Sequence, residues 1–311
     1  MKILIIPDPH GQDNWKKAVE KFTYDKVVFM GDYFDNYNFK YQGEFALKNF
    51  KEICEFVRKD SDNRKMCIGN HDFDNYIMGG NCSGYQNNWY KQYKDALCEN
   101  IDLLNICYEI DGYVFSHAGV SEKWIKELEE FDFDFIDKDT WKNISRVDKI
   151  NYIFHSIFEN GKIKTSDIGI GITELTSWFT YNRYDMSGCG ESAYQSPLWI
   201  RPKTLYYTSA FTKQVVGHTE YCLIDFQAIG KDGNYILITD SPTHEPGLFD
   251  TENPLKVKDI VEFDKDRKLL VKQLNDLKSL FGNNPDMNRF KKIKEVFGDK
   301  ALFVYETYFK D

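Results

Sequence analysis

A chain of 311 residues can bury a large core, either as one elaborated domain or as two small ones. With 42% hydrophobic and 16% aromatic residues it reads as globular, and a net charge of -9 argues against a surface given over to nucleic acid or anionic membrane. Bound divalent cations could still make one pocket locally positive.

Seven cysteines (Cys54, Cys67, Cys82, Cys98, Cys107, Cys189 and Cys222) form an odd set with no Cys-x-x-Cys pair, which is neither a disulfide framework nor a structural zinc site. Met1 to Ile6 is too short for the apolar region of a signal peptide, and no apolar run approaches the ~20 residues that span a bilayer. The expectation is a cytoplasmic protein with no membrane partner.

Lys2 to Ile6 is a continuous aliphatic run of the kind covered on both faces of a sheet, and Asp8-Pro9-His10-Gly11 follows at once. Residues i and i+2 of an extended segment share a face, so the Asp8 carboxylate and His10 imidazole can converge at a metal-ligand spacing. A polar turn with a helix N-cap is the competing reading. Asn14 to Phe22 has the pattern of a short helix and Lys26 to Met30 that of a second buried strand, the β-α-β rhythm of a parallel pair. That strand stops at Gly31-Asp32-Tyr33-Phe34-Asp35-Asn36, where the glycine permits a sharp turn that carries Asp32 to the mouth of the sheet. Asp35 stands one turn further on, in a supporting position.

Phe45 to Arg58 carries apolar residues at helical spacing and leads into a third strand, Lys65 to Ile68, which ends in Gly69-Asn70-His71-Asp72. The segment from Phe73 to Tyr93 is rich in Asn, Gly and Tyr without a clear period, and is expected as a loop near the site. Leu103 to Ile110 and Tyr113 to Phe115 flank the tight-turn dipeptide Asp111-Gly112, and the second of them runs into Ser116-His117-Ala118-Gly119. Ser121 has the character of a helix cap for a helix through Leu128, and the acidic, aromatic run Glu129 to Asp139 reads as a solvated face.

From Trp141 to Lys203 the pattern is weak. It offers a helix over 147–158, a loop at Ser187-Gly188-Cys189-Gly190, and a short apolar element from Ser196 to Pro202 that presents Arg201. Lys213 to Val216 resumes the strand pattern and ends at Gly217-His218-Thr219, and 222–229 with 235–239 read as a hairpin ending at Asp240-Ser241. Past Pro246 the pattern changes to two amphipathic helices, Asp264 to Leu280 and Asn288 to Val296, the second with a basic but solvated face. His155 and His244 have no motif around them and receive no role.

Asp8 and His10, Asp32 and Asp35, Asn70 and His71, His117, and His218 all fall just past the carboxyl ends of expected strands, where the ligand crevice of an open α/β sheet lies. Oxygen ligands mixed with imidazoles suit Mn, Fe or Zn, and the set is too large for one ion. Two metals bridged by a carboxylate would use it, and such pairs clamp the attacking and leaving oxygens of a displacement at phosphorus.

In order, the motifs Asp8-Pro9-His10-Gly11, Gly31-Asp32-Tyr33-Phe34-Asp35, Gly69-Asn70-His71-Asp72, Ser116-His117-Ala118-Gly119 and Gly217-His218-Thr219 resemble those of the calcineurin-like metallophosphoesterases. The resemblance covers roughly residues 1 to 240. It implies an α/β fold, a four-layer α/β/β/α sandwich of two mixed sheets. Residues 1–250 would form the catalytic domain, and 251–311 a helical C-terminal extension packed on it. It also implies that Asp8 and His10 bind a first metal, that Asp32 bridges two, and that Asn70, His117 and His218 hold the second. Manganese is the first choice of ion, with iron or zinc as alternatives. The nucleophile would be a hydroxide activated by the two metals, and His71 would be the general acid, oriented and kept protonated by Asp35.

Many diesterase-type members of that family carry a second histidine two residues after the last Gly-His, where this chain has Glu220. With Leu198-Trp199-Ile200-Arg201, that places the resemblance nearest the phosphoprotein phosphatases of bacteria and phages, with Arg201 as a bidentate phosphate clamp. Arginines usual in that branch are replaced here by Asn36 and Ile68, which leaves Arg201 or Arg183 to hold phosphate. The expected reaction is hydrolysis of a phosphate monoester, with a phosphoserine or phosphothreonine protein as first substrate. A dinucleoside polyphosphate or other nucleotide is the nearest rival; a phosphodiesterase or nuclease fits the charge and Glu220 less well. A metal-binding interaction module without turnover is the non-enzymatic alternative.

Overall fold

The first strand shows how the molecule is layered. Ile3 and Ile5 join Val28, Met30, Phe115, Val215 and Leu237 in one buried cluster, whereas Leu4 and Ile6 join Trp15, Ala46, Phe50 and Ile53 in another. Side chains alternate across a strand, so a run buried on both sides has a sheet facing one side and helices the other. The computed structural model describes the chain except residues 81, 164–169, 181–189, 221–224, 282–287, 298–300, 302–303 and 306–311.

Among the described residues the strands are β1 (Lys2–Ile6), β2 (Lys26–Phe29), β3 (Arg64–Cys67), β4 (Leu104–Asn105), β5 (Cys107–Ile110), β6 (Tyr113–Ser116), β7 (Phe158–Glu159), β8 (Lys162–Ile163), β9 (Lys213–Val216), β10 (Gln227–Ile229), β11 (Tyr235–Ile238), β12 (Gly247–Asp250) and β13 (Val257–Lys258). One sheet has the order β12-β1-β2-β3-β4, parallel except for its β12 edge. The other has the order β13-β10-β11-β9-β6-β5, with β6, β9 and β11 parallel to one another. The helices Asn14–Lys21 and Gly43–Arg58 cover the outer face of the first sheet through Trp15, Phe50 and Ile53. Leu205 and Tyr206 of the helix Pro202–Thr208, with Ile260 and Phe263, cover Val216, Ile236 and Ile238 of the second. This is the expected four-layer α/β/β/α arrangement of two mixed sheets.

Two local expectations change. The run from Leu103 to Ile110 is not one strand: β4 belongs to the first sheet and β5 to the second, and the chain crosses at Ile106. The Asn151 side chain makes the crossing possible, because its Oδ1 accepts from the Ile106 and Cys107 N–H groups at 3.1 and 3.2 Å and its Nδ2 donates to the Cys107 carbonyl at 2.8 Å. Buried backbone groups that leave one ladder need such partners. The segment Phe73 to Tyr93 is not wholly a loop either. His71–Ile77 is a wide helical turn in which the Met78 N–H donates to the Phe73 carbonyl five residues back, and a helix begins at Tyr90 and runs to Glu99.

In the run Glu129 to Asp139, Asp132 and Asp134 are exposed while Phe133 packs on Trp141 and Trp178, so these acids are solvated and Phe133 is not, whereas Phe135 is half exposed. The helix Ile260–Phe281 begins earlier than the expected Asp264, and the second sheet takes its edge strand β13 from beyond residue 250. Leu274 and Leu277 form a separate cluster with Ile293, Ala301 and Val304. No helix among the described residues is long and apolar enough to cross a membrane.

Candidate metal centre

Strands β1, β2 and β3 of one sheet and β6, β9 and β11 of the other all release their chains at the same end of the sandwich, and that end is a cavity of about 1200 Å³. Asp8, His10, Asp32, Asp35, Asn70, His71, Arg201 and His218 line it, and His117 lies beneath, fully buried. The turns after β2 and β3 touch backbone to backbone. A side-chain carbon on Gly31 would sit 2.5 Å from the Gly69 nitrogen, and one on Gly69 would sit 2.0 Å from Asp32 Oδ1. Only glycines permit that approach, which brings Asp32 over Asn70 and His71.

Buried Asp72 ties the two turns together. Its carboxylate accepts N–H bonds from Asp32 at 2.8 Å, Tyr33 at 2.9 Å and Gly69 at 3.0 Å. The sequence motif contained Asp72, but only the fold shows what it holds. Asp32 Oδ1 in turn accepts from the His71 N–H at 2.9 Å, and Asp8 Oδ2 from the His218 N–H at 2.7 Å. His10, Asp32, Asp35 and His218 all have positive φ, between 42° and 69°, a conformation that local structure must enforce.

The imidazoles are oriented by the same logic. His10 Nδ1 lies 2.6 Å from the Phe34 carbonyl and His117 Nδ1 lies 2.9 Å from the Met30 carbonyl, so each Nδ1 carries the proton and each Nε2 is the acceptor. His10 Nε2 and His117 Nε2 lie 3.8 and 3.5 Å from Asp32 Oδ2, and Asn70 Oδ1 lies 2.8 Å from His117 Nε2 and 2.9 Å from His218 Nδ1. Burial pushes the pKa of His10 down to about 4, with His244 nearby adding to it, and burial lowers His117 and His218 as well. These rings are held neutral, the form that binds metal.

A divalent cation fits this set. Asp8 Oδ1 and His218 Nε2 are buried without a hydrogen-bond partner, and burial, together with the nearby Asp240 and Asp32 charges, raises the Asp8 pKa. Ligand atoms of Asp8, His10 and Asp32 lie within 4.8 Å of one another, so these three could hold an ion. Asn70, His117 and His218 gather around the other side of Asp32.

His71 stands beside this set. Its Nδ1 is 3.2 Å from Asp35 Oδ2, and Asp35 is itself held by Asn75 Nδ2 and Tyr76 Oη. Burial alone would lower the His71 pKa, but the Asp32 and Asp35 carboxylates outweigh it and raise it to about 9. Arg201 also reaches the cavity, with Nη1 3.1 Å from Thr219 Oγ1. Arg183 lies outside the described residues. Asn36, in the place of an arginine, braces the first turn by donating to the His10 carbonyl at 2.8 Å, and Ile68 is fully buried.

Sequence reasoning missed part of the wall. Asp74 lines the cavity and accepts from Trp199 Nε1 at 2.7 Å. His244 and Asp240 line it as well, with His244 Nδ1 2.8 Å from Asp240 Oδ1. The available signal was Asp240 at the end of a strand; nothing near His244 in the sequence pointed to it. His155 is elsewhere, with Nε2 2.6 Å from Asn105 Oδ1.

The chain belongs to the calcineurin-like phosphoesterase family, whose family model matches residues 1–189. It is therefore a phosphoesterase of a family that works with divalent metals. Among solved structures the chain shows a likeness to a protein serine/threonine phosphatase from Saccharomyces cerevisiae, described as having similarity to human phosphatase PP5. That likeness has 16% identity over 78% of this chain and 68% of that chain, with a TM-score of 0.39, and adds nothing to the family assignment. No curated protein sequence matches the chain.

Proposed function

We propose that this protein hydrolyses phosphate monoesters, with a phosphoserine or phosphothreonine side chain as substrate. The observation that carries this reading is the set of buried Asp8, Asp32, Asn70 and His117 with half-buried His10 and His218, beside an Asp35-bound His71. Asp8 and His10 would hold one divalent ion, Asn70, His117 and His218 a second, and Asp32 would bridge them, manganese being the ion of choice. Such ions supply Lewis acidity toward phosphoryl oxygens and acidify a bound water near neutral pH.

The chain's own residues do the rest. The carboxylates and neutral imidazoles would hold the ions, and Arg201 offers a planar fork to a phosphate oxygen pair. His71, protonated and oriented by Asp35, gives its proton to the departing alkoxide oxygen. Glu220, in place of the second histidine of diesterase-type relatives, supports monoester chemistry. Tyr37 lines the same cavity and is 74% exposed, which suits stacking of a base and keeps a nucleotide as the second reading.

Initial rates in Mn²⁺ on a phosphoserine peptide and on a dinucleoside polyphosphate separate the two. The peptide is expected to be the better substrate by kcat/KM. A preference for the dinucleoside polyphosphate would replace the phosphoprotein reading with the nucleotide one.

A further inference from the structure

We infer that His244, steered by Asp240, is an additional ligand for a divalent cation held at Asp8, His10 and Asp32. The inference rests on the metal-dependent reading above. The set on the far side of Asp32 has two imidazoles and an amide, whereas the near side has only Asp8 and His10. His244 stands on that poorer side. Its ring centroid lies 4.9 Å from that of His10, and it lines the same cavity at 9% exposure.

The ring stands beside the Asp8, His10 and Asp32 group but outside the set of ligand atoms that lie within 4.8 Å of one another, so ligation would draw it inward. Asp240, 2% exposed, lies 2.8 Å from His244 Nδ1, which puts the ring proton there and leaves Nε2 as a lone-pair donor with no hydrogen-bond partner among the described residues. A carboxylate behind an imidazole is the usual device for fixing the tautomer and raising the basicity of a metal-binding histidine. The backbone is held as well: Asn14 Nδ2 donates to the His244 carbonyl at 3.1 Å, the His244 N–H donates to the Ser241 carbonyl at 2.9 Å, and φ is 51°. Glu220 lines the cavity too.

The test is calorimetric titration of Mn²⁺ into chelator-stripped full-length protein, with Co²⁺ visible absorption as a second reading of the ligand set. The proteins are wild type, His244→Ala, Asp240→Asn and Glu220→Gln, each checked for fold by circular dichroism. His244→Ala is expected to weaken one binding step by about 10–100-fold and to shift the Co²⁺ bands, with Asp240→Asn acting in the same direction while His244 remains. Wild-type affinity and an unchanged Co²⁺ spectrum in both variants would overturn the inference, as would a loss seen only in Glu220→Gln. A wild type that takes up neither ion would remove the metal-dependent reading along with it.

Discussion

His71 has two carboxylates to answer to. Asp35 accepts from its Nδ1, and Asp32 accepts from its backbone N–H and contributes to the rise of its pKa to about 9. The ring is thus protonated at neutral pH, which a proton donor requires. Replacing His71 with Asn should leave the bound metal unchanged and lower turnover of substrates with poor leaving groups by ~10²-fold or more, with aryl phosphates less affected. Metal analysis and paired kinetics on alkyl and aryl phosphates check this, and equal losses on both would take the proton-donor role away from His71. At this scale the sequence was informative wherever a polar residue followed an aliphatic strand, as Asp8, Asp32, Asn70, His117 and His218 do. It was silent where a residue reaches the cavity from an irregular segment, as His244 does, because no period or glycine turn marks it.

Among the elements, the wide turn His71–Ile77 does most to shape the site, since it supplies Asp72, Asp74, Asn75 and Tyr76 within a single segment. Such turns are rare and recur at functional sites. Nothing in the spacing of Asp72-Phe73-Asp74-Asn75-Tyr76 separates it from a loop, because its polar side chains point inward to partners elsewhere in the chain. Asp74 illustrates the cost of that arrangement. One of its oxygens accepts from Trp199 Nε1, the other is buried without a partner, and burial raises its pKa to about 7.

A carboxyl whose folded pKa lies above its unfolded value contributes stability that is complete below the unfolded value of 3.8 and is lost as pH rises through about 7. Asp74→Asn keeps an acceptor for Trp199 and cannot ionise. The metal-free variant should therefore gain on wild type as pH rises from 5 to 8 and then level off, the gain being on the order of 2–4 kcal/mol. Denaturant titrations at several pH values measure it. A difference that stays flat across that range would show that Asp74 ionises freely in the folded state.

For the whole molecule, the aliphatic runs of β1 and β2 marked strands covered on both faces and a parallel pair, the four-layer sandwich itself came from the resemblance of the five motifs to a known family, and Gly31 and Gly69 marked where the sheet opens into a site. The switch of sheets at Ile106 was not readable, because Leu103 to Ile110 is one uninterrupted strand pattern and the switch depends on Asn151, 45 residues away. The C-terminal helices divide in two. Ile260 and Phe263 seal the second sheet, while Leu274 and Leu277 pack with Ile293, Ala301 and Val304. A chain ending at Leu269 should remain folded and keep its activity. One ending at Leu255 loses β13 and both sealing side chains and should be destabilised by several kcal/mol, at about 1.5–3 kcal/mol for each large side chain uncovered. Thermal melts of the two truncations decide this, and equal stability would mean that the second sheet needs no cover there.

The central claim is metal-dependent hydrolysis of phosphate monoesters at the strand ends of this sandwich. Its most direct test compares p-nitrophenyl phosphate with bis(p-nitrophenyl) phosphate in Mn²⁺, using wild type, chelator-treated wild type and Asp32→Asn. Monoester turnover should exceed diester turnover, disappear with the chelator, return with Mn²⁺ and be absent from Asp32→Asn. Diester preference, or monoester turnover that survives both the chelator and Asp32→Asn, would contradict it.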